Sequence, residues 1–223
     1  MFPKASNGYL FHADSIIEGD TFRVKIPFKN ISTVDIRDSL DLEFELVQKT
    51  SRTVIDKGSF KINPLKPDSL FLFDYKYPTT GFEGIYGFYI SVNTNNKVTE
   101  KTLINNSNTR SFVVVKDNIN PLIDVTFDGR HIMDGDIVSA NPNILISSTD
   151  ENQFLLQQDE NKLILEIQKP GGSSFTPIIY GTDALFYPAT DKNNKAKVEY
   201  KLSDLITGTY TLKIQSEDAS LNK

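Results

Sequence analysis

An all-β chain, arranged as two antiparallel sandwiches in tandem, is what the sequence predicts, on three observations. Apolar and polar residues alternate through both halves of the chain, the pattern of half-buried strands. Turn residues break that alternation at roughly ten-residue spacing, the rhythm of a sandwich. The mix of 15 Phe and 9 Tyr with no Trp favours strands, as do the many Thr, Val and Ile. A length of 223 residues suits two domains of about 110 better than one small one.

The first-half elements follow in order. "DTFRVKIPFKN" puts Phe22, Val24, Ile26 and Phe28 on one face, with Arg23, Lys25 and Lys29 among the residues opposite. "LDLEFELVQK" repeats this with Leu40, Leu42, Phe44 and Leu46 against Asp41, Glu43 and Glu45. "RTVIDKGSFKINP" reads as two short extended pieces about Asp56–Gly58. "SLFLFDYKYP", "GIYGFYISVN" and "RSFVVVKD" complete the set. In "SLFLFDYKYP" the rings of Phe71, Phe73, Tyr75 and Tyr77 share a face. Exposed, they could form a sugar platform; but the opposite face, Leu70, Leu72, Asp74 and Lys76, turns polar, which assigns the rings to the core.

The second half repeats the scheme with "LIDVTF", "PNILISST", "KLILEIQKP", "AKVEYKL" and "GTYTLKIQS". "ENQFLLQQDENKLILEI" is ambiguous at Phe154–Leu156 between a helical turn and a loop. We read a loop dipping into the core before a strand at Leu163–Ile167. The boundary falls in "KDNINP" (116–121), giving domains 1–117 and 118–223. "GIYGFYI" and "GTYTLKI" share a Gly-x-Tyr opening near the end of each half. In immunoglobulin-like sandwiches a tyrosine there turns its hydroxyl back onto the preceding corner, so Tyr86 and Tyr210 are candidates for that role. The fold prediction is thus two tandem immunoglobulin-like β-sandwich domains. The second is expected to lack its last strand, because "GTYTLKIQSEDASLNK" reads as the penultimate strand running into a polar turn.

Charge and cysteine content narrow the function classes. A net charge of −5 with no basic patch argues against nucleic acid. Zero Cys removes disulfides, thiolate metal sites and a Cys nucleophile. No apolar run approaches the ~18 residues of a membrane span. "MFPKASNGYLFHADS" lacks the basic and apolar regions of a signal peptide. If the parent is secreted, the chain is expected to be an internal piece of it.

Chemistry has few places to reside. "VTFDGRHIMDGDIV" gathers Asp128, His131, Asp134 and Asp136. Asp128-Gly129 and Asp134-Gly135 are, however, dipeptides that tight hairpin turns prefer, and only a short edge segment, Arg130–Met133, lies between them. The EF-hand spacing is absent, so two turns and an edge strand are expected, with weak calcium binding as the lesser alternative. His12 has no nucleophile motif near it, and "KPGGSS" (169–174) looks like a hairpin tip rather than a phosphate loop. No catalytic, cofactor-binding or metal residue is therefore assigned. The triplets "DSI" (14–16) and "DSL" (38–40, 68–70) look like short O-glycosylation sequons of Bacteroidetes, but a turn Asp-Ser leading into a strand accounts for them more simply.

Two stretches carry family likenesses. "EGDTFRVKIPFKNIS", "NPLKPDSLFLFDYKYPTTGFEGIYGFYISVN" and "EKTLINNSNTRSFVV", about residues 8 to 116, resemble the CARDB family of bacterial adhesion-related immunoglobulin-like modules. Glu100, Asn105, Asn106 and Phe112 match its closing pattern. "NPLIDVTFDGRHIMDGDIVSANPNILISSTDEN" and "AKVEYKLSDLITGTYTLKIQSEDASLNK" resemble the module before the sorting domain in gingipain-like cysteine peptidases of Bacteroidetes, exported by the type nine secretion system. That likeness implies an extracellular or outer-surface setting within a larger protein. It transfers no catalysis, since that family works through a Cys–His pair and this chain has no Cys. The expected function is a non-catalytic stalk and adhesion module, needing no cofactor. Its expected partners are neighbouring domains of the parent and protein or glycan at the cell surface. An accessory carbohydrate-binding module is the alternative.

Overall fold

The structure, a computed structural model, describes residues 10–11, 14–100 and 103–223. It is almost all β, 48% strand and 3% helix, and divides into two compact units, residues 1–116 and 117–223. Asp117 thus opens the second unit.

The first unit contains β1 (Leu10–Phe11), β2 (Ser15–Ile17), β3 (Thr21–Lys29), β4 (Leu40–Gln48), β5 (Thr53–Ile62), β6 (Leu70–Pro78), β7 (Gly84–Val92) and β8 (Ser107–Val115). Among the described residues they form two sheets, ordered β1-β3-β6 and β2-β8-β7-β4-β5. Period-two alternation places Phe22, Val24, Ile26 and Phe28 of β3 inside, facing Leu40, Leu42, Phe44 and Leu46 of β4. Aromatic contacts join the layers. Phe22 stacks on Phe112 at 4.1 Å between centroids, and Phe44 meets Phe73 and Tyr75. The ring row of β6 belongs to this core, Phe73 buried and Phe71, Tyr75 and Tyr77 packed against it, while Leu70, Leu72, Asp74 and Lys76 face outward.

Where two short pieces were expected about Asp56–Gly58, β5 is one continuous strand, with a register shift opposite Leu46/Val47. Gly58 is a seat rather than a turn. It pairs with Phe44, and a Cβ built there would lie 2.6 Å from that ring. The Tyr86 hydroxyl accepts a hydrogen bond from the Glu83 backbone N–H at 3.2 Å, the corner expected of it. Glu100 accepts from Asn93 and Asn106, so two residues of the closing pattern, Glu100 and Asn106, are joined side chain to side chain.

The second unit contains β9 (Leu122–Phe127), β10 (Asn143–Thr149), β11 (Leu163–Gln168), β12 (Thr176–Pro177), β13 (Ala184–Tyr187), β14 (Lys195–Lys201) and β15 (Thr211–Ser216). Its described sheets are β13-β14-β10-β9 and β12-β11-β15. Ile144, Ile146, Leu163, Leu165, Val198 and Tyr200 form its core, and a buried Ser148–Ser216 hydroxyl hydrogen bond of 2.7 Å links β10 to β15. The short strands β12 and β13 were not foreseen, being too brief to show alternation. "KPGGSS" does sit in the connection between the antiparallel pair β11 and β12. Tyr210 packs half-buried against the core without a corner bond among the described residues; Tyr180 supplies the comparable contact, donating to the Leu163 carbonyl. β15 pairs with β11 and lies at the edge of its described sheet.

Candidate functional site

The acidic segment that drew attention in the sequence resolves into local geometry. Asp128 and Gly129 both take positive φ, 50° and 76°, and Phe127 and Arg130 exchange backbone hydrogen bonds around them. The Asp128 carboxylate accepts from the Asn143 N–H and the Ser139 hydroxyl. At the second turn only Gly135 has positive φ, and Asp136 accepts from the Met133 N–H at 2.8 Å. The edge strand expected between the turns is absent, since Arg130 makes an isolated bridge and 131–142 follow without strand structure. Asp136 satisfies a backbone donor within its own turn, and Asp128 ties its turn to the first residue of β10, so side chains offer the segment an alternative to a ladder. His131 instead pairs with Asp124 at 2.7 Å, both exposed. His12 lies outside the described residues. Each Asp-Ser triplet leads into a strand, Ser15 opening β2 and Ser39 and Ser69 preceding β4 and β6.

A different acidic group is built into the second unit, and the sequence reading passed over it. Asp117, Asp150 and Asp218 each bring a carboxylate oxygen to within 4.8 Å of the others. All three are buried, at 7%, 3% and 1% exposure. Strand register assembles them. β9 begins opposite the end of β10, Leu122 against Thr149, which places the approach from Asp117 beside Asp150. The Ser148–Ser216 bond holds the end of β15 there too, bringing Asp218 into the same pole.

Asparagines fix the three loops. The Asp150 Oδ1 accepts from the Asn152 N–H at 2.7 Å and from Asn194 Nδ2 at 3.3 Å. Fully buried Asn194 also donates to the Asn152 and Leu155 carbonyls and accepts from the Gln157 N–H. It is therefore polar Asn152 and Gln157, not Phe154–Leu156, that the loop carries inward. Asn222 donates from its backbone and its amide to the Asp218 carboxylate, and from the same amide to the Asp117 carbonyl. Asp117 Oδ1 accepts from the Ile119 N–H.

What remains is unbalanced. Oδ2 of Asp117 and Oδ2 of Asp150 are buried and accept no hydrogen bond. Burial pushes the Asp150 carboxyl up to about 7; the Asn152 N–H opposes this, and the charges acting on it, from Asp117, Glu151 and Asp218, all raise it further. Burial likewise raises Glu151, with Asp117 beside it. At an effective dielectric of ~20, two carboxylate charges about 5 Å apart repel by roughly 3 kcal/mol. The Lys162 ammonium group donates to the Asp218 backbone carbonyl and pairs with Glu217.

No family model matches the sequence, and no curated protein matches it. CARDB domains are among its structural neighbours. The crystal structure of the CARDB domain of a Pyrococcus furiosus protein in complex with di-metal ions is 19% identical, covering 47% of this chain and 86% of that one at a TM-score of 0.38. A solution structure of the same domain is 20% identical, covering 46% and 86% at 0.37. Red sea bream transglutaminase is 12% identical at 0.39, and this chain, 98% covered, spans 30% of that enzyme. At such scores these likenesses carry no argument about ligand or activity. Among the described residues no helix is long and apolar enough to cross a membrane.

Proposed function

We propose that the chain is a non-catalytic stalk, a tandem of immunoglobulin-like modules that spaces other parts of a larger exported bacterial protein at the cell surface and keeps its shape when pulled. The observation that carries this reading is the pairing of β2 with β8. The two strands run parallel, with Ser15 against Val113 and Ile17 against Val115. The Val113 N–H donates to the Asp14 carbonyl at 2.8 Å, and the Glu18 N–H to the Val115 carbonyl at 2.9 Å. These strands lie near opposite ends of the first unit, so tension along the chain shears their hydrogen bonds together instead of opening them one at a time. The second unit adds a separate core of its own. The surface setting is part of the proposal, and it follows what the sequence likenesses of the two halves imply.

The rival reading, an accessory carbohydrate-binding module, rests on Tyr89. Its ring is exposed on the outer face of the five-stranded sheet and lies over Gly87, where a Cβ would meet it at 2.8 Å. Exchange of the whole chain, within its parent, for two unrelated sandwich domains of similar length distinguishes the two readings. A spacer predicts that the parent's surface activity survives the exchange and falls on outright deletion. Activity lost on exchange, together with glycan-array binding that Tyr89→Ala abolishes, overturns it.

A further inference from the structure

We propose that Asp117, Asp150 and Asp218 hold a calcium ion that staples the first and last segments of the second domain together. Three features point to a ligand rather than to an incidental cluster of acids. The carboxylates are buried, so water does not screen them. Two of their oxygens, on side chains more than nine-tenths buried, accept no hydrogen bond while standing among other carboxylates. Buried polar atoms find partners in the great majority of cases, and a lone pair left without a donor at such a place is what a cation would use.

The donor chemistry selects the ion. Every ligand on offer is a hard oxygen, with no Cys in the chain and no histidine in the group, which disfavours zinc and copper. Calcium accepts several carboxylates at once in an adaptable shell of six to eight oxygens. Magnesium demands a regular octahedron and keeps much of its water, a poor match to three converging buried carboxylates. Glu151, exposed and beside Asp117, is placed to add a fourth carboxylate from the solvent side.

The topology gives the ion its task. In the first unit β2 and β8 tie segments near that unit's two ends together through a parallel ladder. In the second unit the opening strand β9 pairs with β10 and the late strand β15 pairs with β11, in different described sheets. Its ends are joined instead at the pole, where Asp117 precedes β9 and Asp218 follows β15. Asn222 already bridges them with its amide, from the Asp117 carbonyl to the Asp218 carboxylate. An ion shared by Asp117, Asp150 and Asp218 closes the same gap far more strongly.

The test uses the full chain stripped of metal and titrated with calcium chloride by calorimetry, with the melting of the second domain followed in parallel. One ion per chain at this site is expected, with a rise in that domain's Tm of about 10 °C at a calcium excess of ~100-fold over Kd. Asp150→Asn and Asp117→Asn keep shape and remove repulsion, so each variant should melt no lower than the parent without calcium. Each should bind calcium at least about tenfold more weakly. The pair Asp134→Asn and Asp136→Asn, in the turn segment, should leave the titration unchanged. A parent chain without a calcium-dependent rise overturns the proposal. So does a rise that persists in both Asp150→Asn and Asp117→Asn, or an equal response to magnesium.

Discussion

Two half-buried tyrosines, Tyr75 and Tyr180, set the behaviour of the chain in alkali. The Tyr75 hydroxyl donates to Asp56 at 2.7 Å, and burial together with that carboxylate holds the phenol well above its ordinary range. Tyr180, whose hydroxyl donates to the Leu163 carbonyl, is raised chiefly by burial, with Glu160 adding to it. Unfolded phenols lose their protons near pH ~10. Above that pH the native chain holds protons that the unfolded chain has released, so stability falls as pH rises; below it the contribution is complete. Phenolate absorbance from these residues should therefore appear together with loss of circular dichroism, in one cooperative step. Their smooth ionisation in a chain that stays folded would contradict this assignment. The residue scale is also where the sequence misleads most. Asp128, Asp134 and Asp136 stand close together in the chain and look like a site, yet Asp136 serves its own turn and Asp128 ties its turn to Asn143 at the start of β10. Asp117, Asp150 and Asp218 stand far apart and look like punctuation. The signal was an Asp followed within a few residues by Asn in "KDN", "TDEN" and "SEDASLN", repeated at one end of three strands. It becomes legible only once the register is known.

At the scale of elements, alternation made most strands readable because one face of each is buried and the other wet. β3, β4, β14 and the ring row of β6 need no more than that rule. The rule weakens at β5, an edge strand with Val54 and Phe60 exposed, where Gly58 mimics a turn signal. Its φ is not positive; the glycine is there to make room for Phe44. Gly58→Ala should accordingly destabilise the first domain by about 1–3 kcal/mol through overpacking, and leave the second domain's transition where it was. Chemical denaturation resolved into two transitions measures this. A neutral or stabilising effect would mean that Phe44 finds another rotamer at no cost. β15 raises the opposite question, a strand at the edge of its described sheet. Lys213 on that strand, paired with Glu166 on β11 at 2.8 Å, is the kind of charge that discourages edge-to-edge association.

For the whole molecule, fold class and the division into halves followed from composition, length and turn rhythm, since two cores of this size each need their own set of strands. The proposed stalk role did not follow in the same way, because it rests on the parallel pairing of β2 with β8, a property of register that no local pattern encodes; β2 itself is only three residues long. The proposed stalk role requires the chain to bear tension. Single-molecule stretching of the 223-residue chain by its ends tests it most directly. Two separate unfolding steps are expected, each releasing roughly 35–40 nm of chain. The step belonging to the first unit should need the higher force in the absence of calcium, and Val113→Pro, which removes the donor to Asp14, should lower that step alone. A single rupture of the entire chain would contradict the account, as would a first unit that yields at the same force with and without the Val113 substitution.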